Sequence, residues 1–91
     1  SDNIANNNVL NCTLLEQYNT TDYQILREKI NVGPYDFLFE IEGMDSDICP
    51  NVDEEIGKTI SNNVNNIAVV TRFVTGNNEI LKMNLKLFEV V

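Results

Sequence analysis

The C-terminal third of the chain contains the run Ile67-Ala68-Val69-Val70-Thr71-Arg72-Phe73-Val74-Thr75. This run is dense in β-branched and aromatic residues, which favour the pleated, partly buried surface of a strand. Turn residues follow at Gly76-Asn77-Asn78, and from Ile80 to Val90 apolar and polar residues alternate again. The sequence therefore predicts a C-terminal β-hairpin.

A further strand is predicted upstream of the hairpin, from Tyr35 onward, because the pattern there has a period of two. The apolar positions are Tyr35, Phe37, Phe39 and Ile41, and the acidic positions are Asp36, Glu40 and Glu42. The aromatic side chains of this strand could form a ligand platform. The apolar face of a strand is more often simply core, and this is the interpretation that we favour.

The N-terminal part, residues 1–33, is predicted to be mainly helical. Apolar residues recur at helical spacing between Ile4 and Tyr18. The run Thr21-Asp22-Tyr23-Gln24 matches a capping box in which Thr21 begins a second helix, and Asn31-Val32-Gly33-Pro34 ends it.

Together these elements predict an α+β fold in a single domain, residues 1–91. The N-terminal helical region packs on a three-stranded or slightly larger antiparallel sheet that ends in the hairpin, since such a sheet needs a covering layer. Residues 34–91 hold the upstream strand, an acidic loop and the hairpin. A chain of 91 residues is too short for two cores.

The two cysteines, Cys12 and Cys49, are predicted to form a disulfide. The chain has no His, and it carries two N-glycosylation triplets, at Asn11 and Asn19. These features favour an oxidising compartment over a metal or redox site, and the bond would tie the first helix to the central loop. The alternative is two unrelated buried thiols, which behave as small apolar residues.

The net charge of −8 argues against a nucleic-acid partner. Binding to phosphates needs clustered Lys and Arg, and the chain has 6 such residues in all, scattered along its length. An anionic membrane surface is disfavoured for the same reason. We therefore expect contact with a membrane only through an N-terminal anchor that the sequence does not contain.

The loop 45–55 is rich in carboxylates, which are ligands that Ca²⁺ prefers. The candidate ligands are Asp45, Asp47, Asp53 and Glu54. The loop does not match the EF-hand template, because Cys49 stands where an oxygen ligand belongs and Pro50 where the template has Gly. The hypothesis of a calcium site competes with that of a solvated acidic loop, which we favour.

No catalytic motif emerges from the sequence, and we expect the protein not to be an enzyme and to need no cofactor. Glu40 and Glu42 share a strand face, as the carboxylates of a glycosidase can, but a chain of this size has little room for a sugar cleft. Gly57-Lys58-Thr59 ends like a phosphate-binding loop but lacks the partner glycine, since Val52 occupies its place.

The hairpin segments Asn66–Val74 and Glu79–Leu85 resemble the closing hairpin of archaeal type IV pilin-like proteins, which carry a class III signal peptide, and of related membrane-anchored surface proteins. The helix Tyr23–Ile30 followed by the strand Tyr35–Ile41 is similar in order to their soluble ectodomains. The resemblance implies an N-terminal hydrophobic helix that anchors the protein and packs into a filament, with an exposed and often glycosylated head.

The expected function is accordingly non-enzymatic. We expect an extracellular domain at the cell surface, anchored in the cell membrane in the full-length protein, that contacts other protein subunits at the surface or in a filament. The alternative hypothesis is a secreted binding module that uses the loop 45–55 for a cation or small ligand.

Overall fold

A computed structural model of the chain describes residues 5–6 and 8–91. The described residues form two helices, α1 (Cys12–Thr20) and α2 (Tyr23–Ile30), and six strands. In chain order, strands β1 to β6 are Ala5–Asn6, Val9–Leu10, Asp36–Glu42, Glu55–Gly57, Val64–Gly76 and Glu79–Val90. The predicted α+β class is confirmed.

The sheet has the strand order β1-β2-β5-β6-β3-β4. Its centre is the predicted antiparallel set, because β6 pairs antiparallel with β5 on one side and with β3 on the other. The sheet is nevertheless larger than three strands, and it is mixed, since β2 pairs parallel with β5 where Val9 lies opposite Thr75. Strands β2 and β4 have only 2 and 3 residues, too few for a period of two to show in the sequence.

Helix α1 begins later than the sequence pattern predicts. The sequence pattern predicts a helix from Ile4. In the structure, two short strands come first and the helix begins at Cys12. Asn8 lies in the turn between those strands with φ of 65°, a conformation that Asn tolerates well. The side chain of Asn11 then accepts a hydrogen bond from the Leu14 N–H at 3.1 Å and caps α1.

The cap of α2 is also displaced, by one residue. The predicted capping residue Thr21 belongs to the end of α1, where its hydroxyl donates to the Gln17 carbonyl at 2.5 Å. Asp22 is the actual cap, and its carboxylate accepts from the Gln24 N–H at 3.2 Å. The predicted end is confirmed, because Asn31 terminates α2 in the left-handed conformation.

The main core lies between the helices and one face of the sheet. Leu15 of α1 and Leu26 of α2 are fully buried, and they cluster with the inward residues Phe37, Phe39 and Ile41 of β3. The alternation predicted for β3 is thus confirmed, and Phe37 and Phe39 are core residues rather than a ligand platform. Tyr35, next to the strand, is half-buried.

The predicted C-terminal hairpin is confirmed over its whole length. Strands β5 and β6 pair from Val64 opposite Val90 to Gly76 opposite Glu79. The turn residues Asn77 and Asn78 both have positive φ, as a two-residue type I′ connection requires.

Gly57 lies where β4 pairs with β3, and both its backbone conformation and the space around it favour glycine. Its φ is +124°, and a Cβ atom there would lie 2.6 Å from the backbone oxygen of Phe37. We expect Gly57→Ala to lower the free energy of unfolding by about 3 kcal/mol, because backbone strain and a clash with main chain act together. The same change at Gly33, which has φ of +69° but open space around it, should cost about 1 kcal/mol.

Urea unfolding of the two variants checks this prediction. Equal losses for Gly57→Ala and Gly33→Ala would contradict it. The local packing also accounts for Gly57 without any phosphate-binding role.

Candidate functional site

The disulfide joins the start of α1 to the acidic loop. Cys12 and Cys49 are bonded, with their Cα atoms 5.4 Å apart, a separation ordinary for disulfides. Cys49 is fully buried and Cys12 is half-buried. The predicted pairing is confirmed, and it fastens the helix to the loop as expected.

The first half of the acidic loop is organised by Asp45. Its Oδ1 accepts hydrogen bonds from the N–H groups of Asp47 at 2.9 Å and Ile48 at 3.1 Å. Short acidic side chains commonly bond the backbone two or three residues ahead in this way and so stabilise a turn. The carboxylate of Asp45 therefore shapes the loop just before the buried residues Ile48 and Cys49.

The second half of the loop is held through its backbone. The N–H of Asp53 donates to Oδ1 of Asn19 at 3.0 Å, and the carbonyl of Glu54 accepts from the Ile41 N–H at 2.8 Å. Within residues 5–6 and 8–91, no three His, Cys, Asp or Glu side chains form a group that could hold a metal ion. The structure thus does not bring the four candidate calcium ligands together, and calcium binding stays a prediction.

An open cleft of about 970 Å³ lies between α1 and the acidic loop. Its lining residues are mostly polar, with Glu16 and Gln17 on the helix side and Ser46, Asn51 and Asp53 on the loop side, but polar and apolar atoms face the cleft in similar measure. Typical small-molecule sites enclose most of the ligand and are mainly apolar. This cleft is broad and open, so it would touch a ligand on few sides.

The carboxylates of Glu40 and Glu42 pair with lysines across the outer face of the sheet. Nζ of Lys86 lies 2.8 Å from Oε1 of Glu40, and Nζ of Lys82 lies 3.8 Å from Oε2 of Glu42. Between them, Asn84 donates to Oε2 of Glu42 at 2.8 Å. Such cross-strand pairs of opposite charge stabilise a sheet surface, and they favour the structural interpretation of these residues over a hydrolytic one.

A polar cluster joins α2 to the start of β3. The Tyr23 hydroxyl donates to Oδ1 of Asp36 at 2.7 Å and accepts from the Phe37 N–H at 3.2 Å. The Asp36 carboxylate also lies 3.9 Å from Nε of Arg27 and 3.6 Å from Nζ of Lys58. Sequence reasoning missed this cluster, because it treated Asp36 as a solvent-facing residue and nothing in the local pattern links it to α2.

Burial, and then the hydrogen bond to Asp36, raise the pKa of Tyr23 from 10.0 to about 12. Folding therefore holds the phenol neutral at a pH where the unfolded chain ionises it. The contribution of Tyr23 to stability is complete below pH 10 and is lost as the pH rises towards about 12.

We expect the free energy of unfolding to fall more steeply over this alkaline range in the wild type than in Tyr23→Phe. Phenolate absorbance should also show a late step that this variant lacks. Urea unfolding at several alkaline pH values measures the first effect, and parallel slopes for the two proteins would contradict it.

The two glycosylation candidates lie at opposite ends of α1. Asn11 is exposed and caps the helix, whereas Asn19 is half-buried and holds the backbone of Asp53. In the two hydrogen bonds just described the side-chain oxygen accepts, whereas a glycan attaches through the nitrogen. Occupancy of these sites stays a prediction.

Strand β5 exposes apolar side chains on both of its faces. Val69 is 57% exposed and Phe73 is 62% exposed on one face, and Val70 is 53% exposed on the other. Exposed apolar residues that occur singly are ordinary, but several along one strand indicate a contact surface. The composition of the strand predicts β-structure but does not reveal that these side chains are exposed.

Among the described residues, neither helix is long and apolar enough to cross a membrane. Comparison of the chain with known protein families, with curated proteins and with solved structures finds no match. The function is therefore inferred from the residues of the chain and their arrangement.

Proposed function

We propose that this chain is the extracytoplasmic domain of a membrane-anchored surface protein of the pilin-like kind, and that it makes protein–protein contacts without catalysing a reaction. The observation that carries the proposal is the disulfide between Cys12 and Cys49. Disulfides persist in oxidising compartments and are rare in the cytosol of most cells. A domain stabilised by such a bond belongs outside the cytoplasm.

The arrangement of the charged residues supports a non-catalytic role. Glu40 and Glu42 pair with lysines, and Asp36 pairs with Tyr23, Arg27 and Lys58. Each of these carboxylates has a structural partner. The exposed apolar side chains of β5 instead provide a surface that suits contact with protein.

The test follows the domain in cells that make the full-length protein. An antibody against the domain should find it in the membrane or surface fraction, and an impermeant amine-labelling reagent should reach it in intact cells. Alkylation of freshly lysed cells should leave both cysteines unmodified until reductant is added. Recovery from the cytosol with two free thiols would overturn the proposal.

Glycosylation gives a matched control within the same experiment. Peptide mass spectrometry of the surface form should find a glycan at Asn11 or Asn19, and Asn→Gln at the occupied position should remove it. The same change at the unoccupied position leaves the glycan in place. Unglycosylated peptides at both positions would contradict glycosylation of the domain. The cellular location would then be judged by the fractionation alone.

The open cleft beside the acidic loop favours a second candidate function, a secreted module that binds a cation or small ligand. Calcium is the simplest probe, because a ligand that binds only the folded state raises the melting temperature by mass action. On our main proposal, millimolar calcium leaves the melting temperature unchanged. A rise that Asp53→Asn abolishes would favour the binding module instead.

A further inference from the structure

In the part of the chain that the structure describes, the outer edge of strand β5 is unpaired over most of its length. Its inner edge pairs with β6, but on the outer edge the described residues pair with it only at Thr75. The Thr75 N–H donates outward to the Asn8 carbonyl at 2.7 Å. Because backbone groups alternate between the two edges of a strand, the N–H and C=O groups of Val69, Thr71 and Phe73 point to the same outer edge.

This edge lacks most of the features that prevent an edge strand from pairing with another chain. Native sheets protect their edges with lysine, proline, bulges or a covering element. Strand β5 contains neither lysine nor proline, its one charged residue is Arg72, and its bulge lies near the far end, between Asn66 and Ala68. The unpaired backbone is therefore flanked by the exposed side chains of Val69, Val70 and Phe73.

We propose that the outer edge of β5 pairs antiparallel with β5 of a second copy of this chain, about a two-fold axis at Thr71. In this register Thr71 lies opposite Thr71 of the second copy, and Val69 lies opposite its Phe73. All of these residues direct their backbone groups to the shared edge, so the hydrogen bonds are matched. Aromatic with β-branched pairs are among the favourable cross-strand combinations, and each Thr71 hydroxyl keeps its hydrogen bond to Oδ1 of Asn84 in its own copy at 2.7 Å.

Moving the axis by one residue, which shifts the pairing by two residues, is disfavoured on two grounds. Centring the axis on Arg72 would set two arginines directly opposite each other, and like charges in that position are destabilising. That axis would also place Val69 opposite Thr75 of the second copy instead of opposite its Phe73. The N–H of Thr75 already donates to the Asn8 carbonyl. Centring the axis on Thr71 separates the two arginines and keeps Val69 opposite Phe73, and the pairing then ends at Phe73, because the outer edge of Thr75 is already paired with Val9.

The distribution of charge also suits a second copy. Strand β5 carries no acidic residue, and more than half of the acidic residues lie between Asp36 and Glu55. The strand order places β3 and β4 two and three strands away from β5, or roughly 10 and 14 Å. Pairing at β5 thus keeps the acidic regions of the two copies apart by more than the screening distance of about 8 Å at physiological salt.

The contact is small, so the dimer should be weak. The matched residues supply about six backbone hydrogen bonds, fewer than the roughly ten of a standard interface. We expect monomers in dilute solution and dimers at high concentration. The biological relevance of this dimer rests on the contact-making role proposed above. Experiments on the purified domain test the dimer itself, whatever the cellular location of the protein.

Sedimentation of the purified domain over a wide concentration range is the first experiment. The double variant Val69→Lys, Phe73→Lys should raise the dissociation constant of the dimer by more than about tenfold, because it places lysines opposite each other. The control Ile25→Lys changes an exposed aliphatic residue on α2 and should dimerise like the wild type. A wild type that stays monomeric at millimolar concentration, or a double variant that dimerises as well as the control, would overturn the proposal.

Cysteine cross-linking tests the register. In the proposed pairing the Cα atoms of the two Thr71 residues are about 5.5 Å apart, within the range that a disulfide bridges. The Cα atoms of the two Val69 residues are about 14 Å apart, beyond that range. Thr71→Cys should form a covalent dimer on mild oxidation and Val69→Cys should not, so equal cross-linking by both variants would overturn this register.

Discussion

Replacing Cys12 and Cys49 together with alanine lowers the free energy of unfolding by about 4 kcal/mol. The bond joins residues separated by 37 positions, and its removal restores conformational freedom to the unfolded chain. A small domain has a total stability of only about 5–15 kcal/mol. Urea unfolding followed by circular dichroism measures the loss.

Reductant separates the effect of the bond from that of the side chains. The wild type in reductant should approach the stability of the double variant, and the double variant itself should be indifferent to reductant. A loss of less than about 1 kcal/mol in both comparisons would show that the cross-link contributes little. The structure would then depend on its core alone.

Phe37→Ala is expected to lower the free energy of unfolding by about 4 kcal/mol. Phe37 is 0% exposed, and its ring stacks on that of Tyr23 with the centroids 5.3 Å apart. Its removal leaves a cavity between β3 and the helices, and the packed surroundings can fill this cavity only in part. The same urea experiment gives the value.

Phe73→Ala is the matched control for this prediction, because the same side chain is deleted where it is 62% exposed. We expect a change within about 0.5 kcal/mol. Similar losses at Phe37 and Phe73 would contradict the assignment of the core to one face of β3. The urea experiment should be run at dilute concentration, where the proposed pairing of β5 does not contribute.

The parts of the fold that the sequence predicts correctly are those fixed by local chemistry. The hairpin follows from its β-branched strands and its two asparagines with positive φ. The inward and outward faces of β3 follow from the period of two. The end of α2 follows from Asn31, and the disulfide follows from there being two cysteines and no His.

The exposure of β5 could not be predicted from its own residues. A strand of 13 residues spans about 43 Å, whereas the 9-residue helix α1 spans only about 14 Å. The helices cover one face of the sheet and are too short to reach along the whole hairpin, so Val70 on that face and Val69 and Phe73 on the other face stay exposed.

The candidate site shows the same division between local and tertiary causes. The turn held by Asp45 is local, and an acidic loop at that place was predicted. The cluster around Asp36 depends on residues of α2, on Lys58 after β4 and on the packing that brings them together. No pattern within a short window of sequence contains that information.

The position of the disulfide determines how the chain transmits mechanical tension. If the ends of the protein are pulled apart, the tension crosses from Cys12 to Cys49 through the sulfur atoms and bypasses the 37 peptide units between them. Helices α1 and α2 and strand β3 all begin within this closed segment. The fully stretched disulfide-bonded protein is therefore about 125 Å shorter than the fully stretched reduced protein. The disulfide thus limits how far the domain extends under tension.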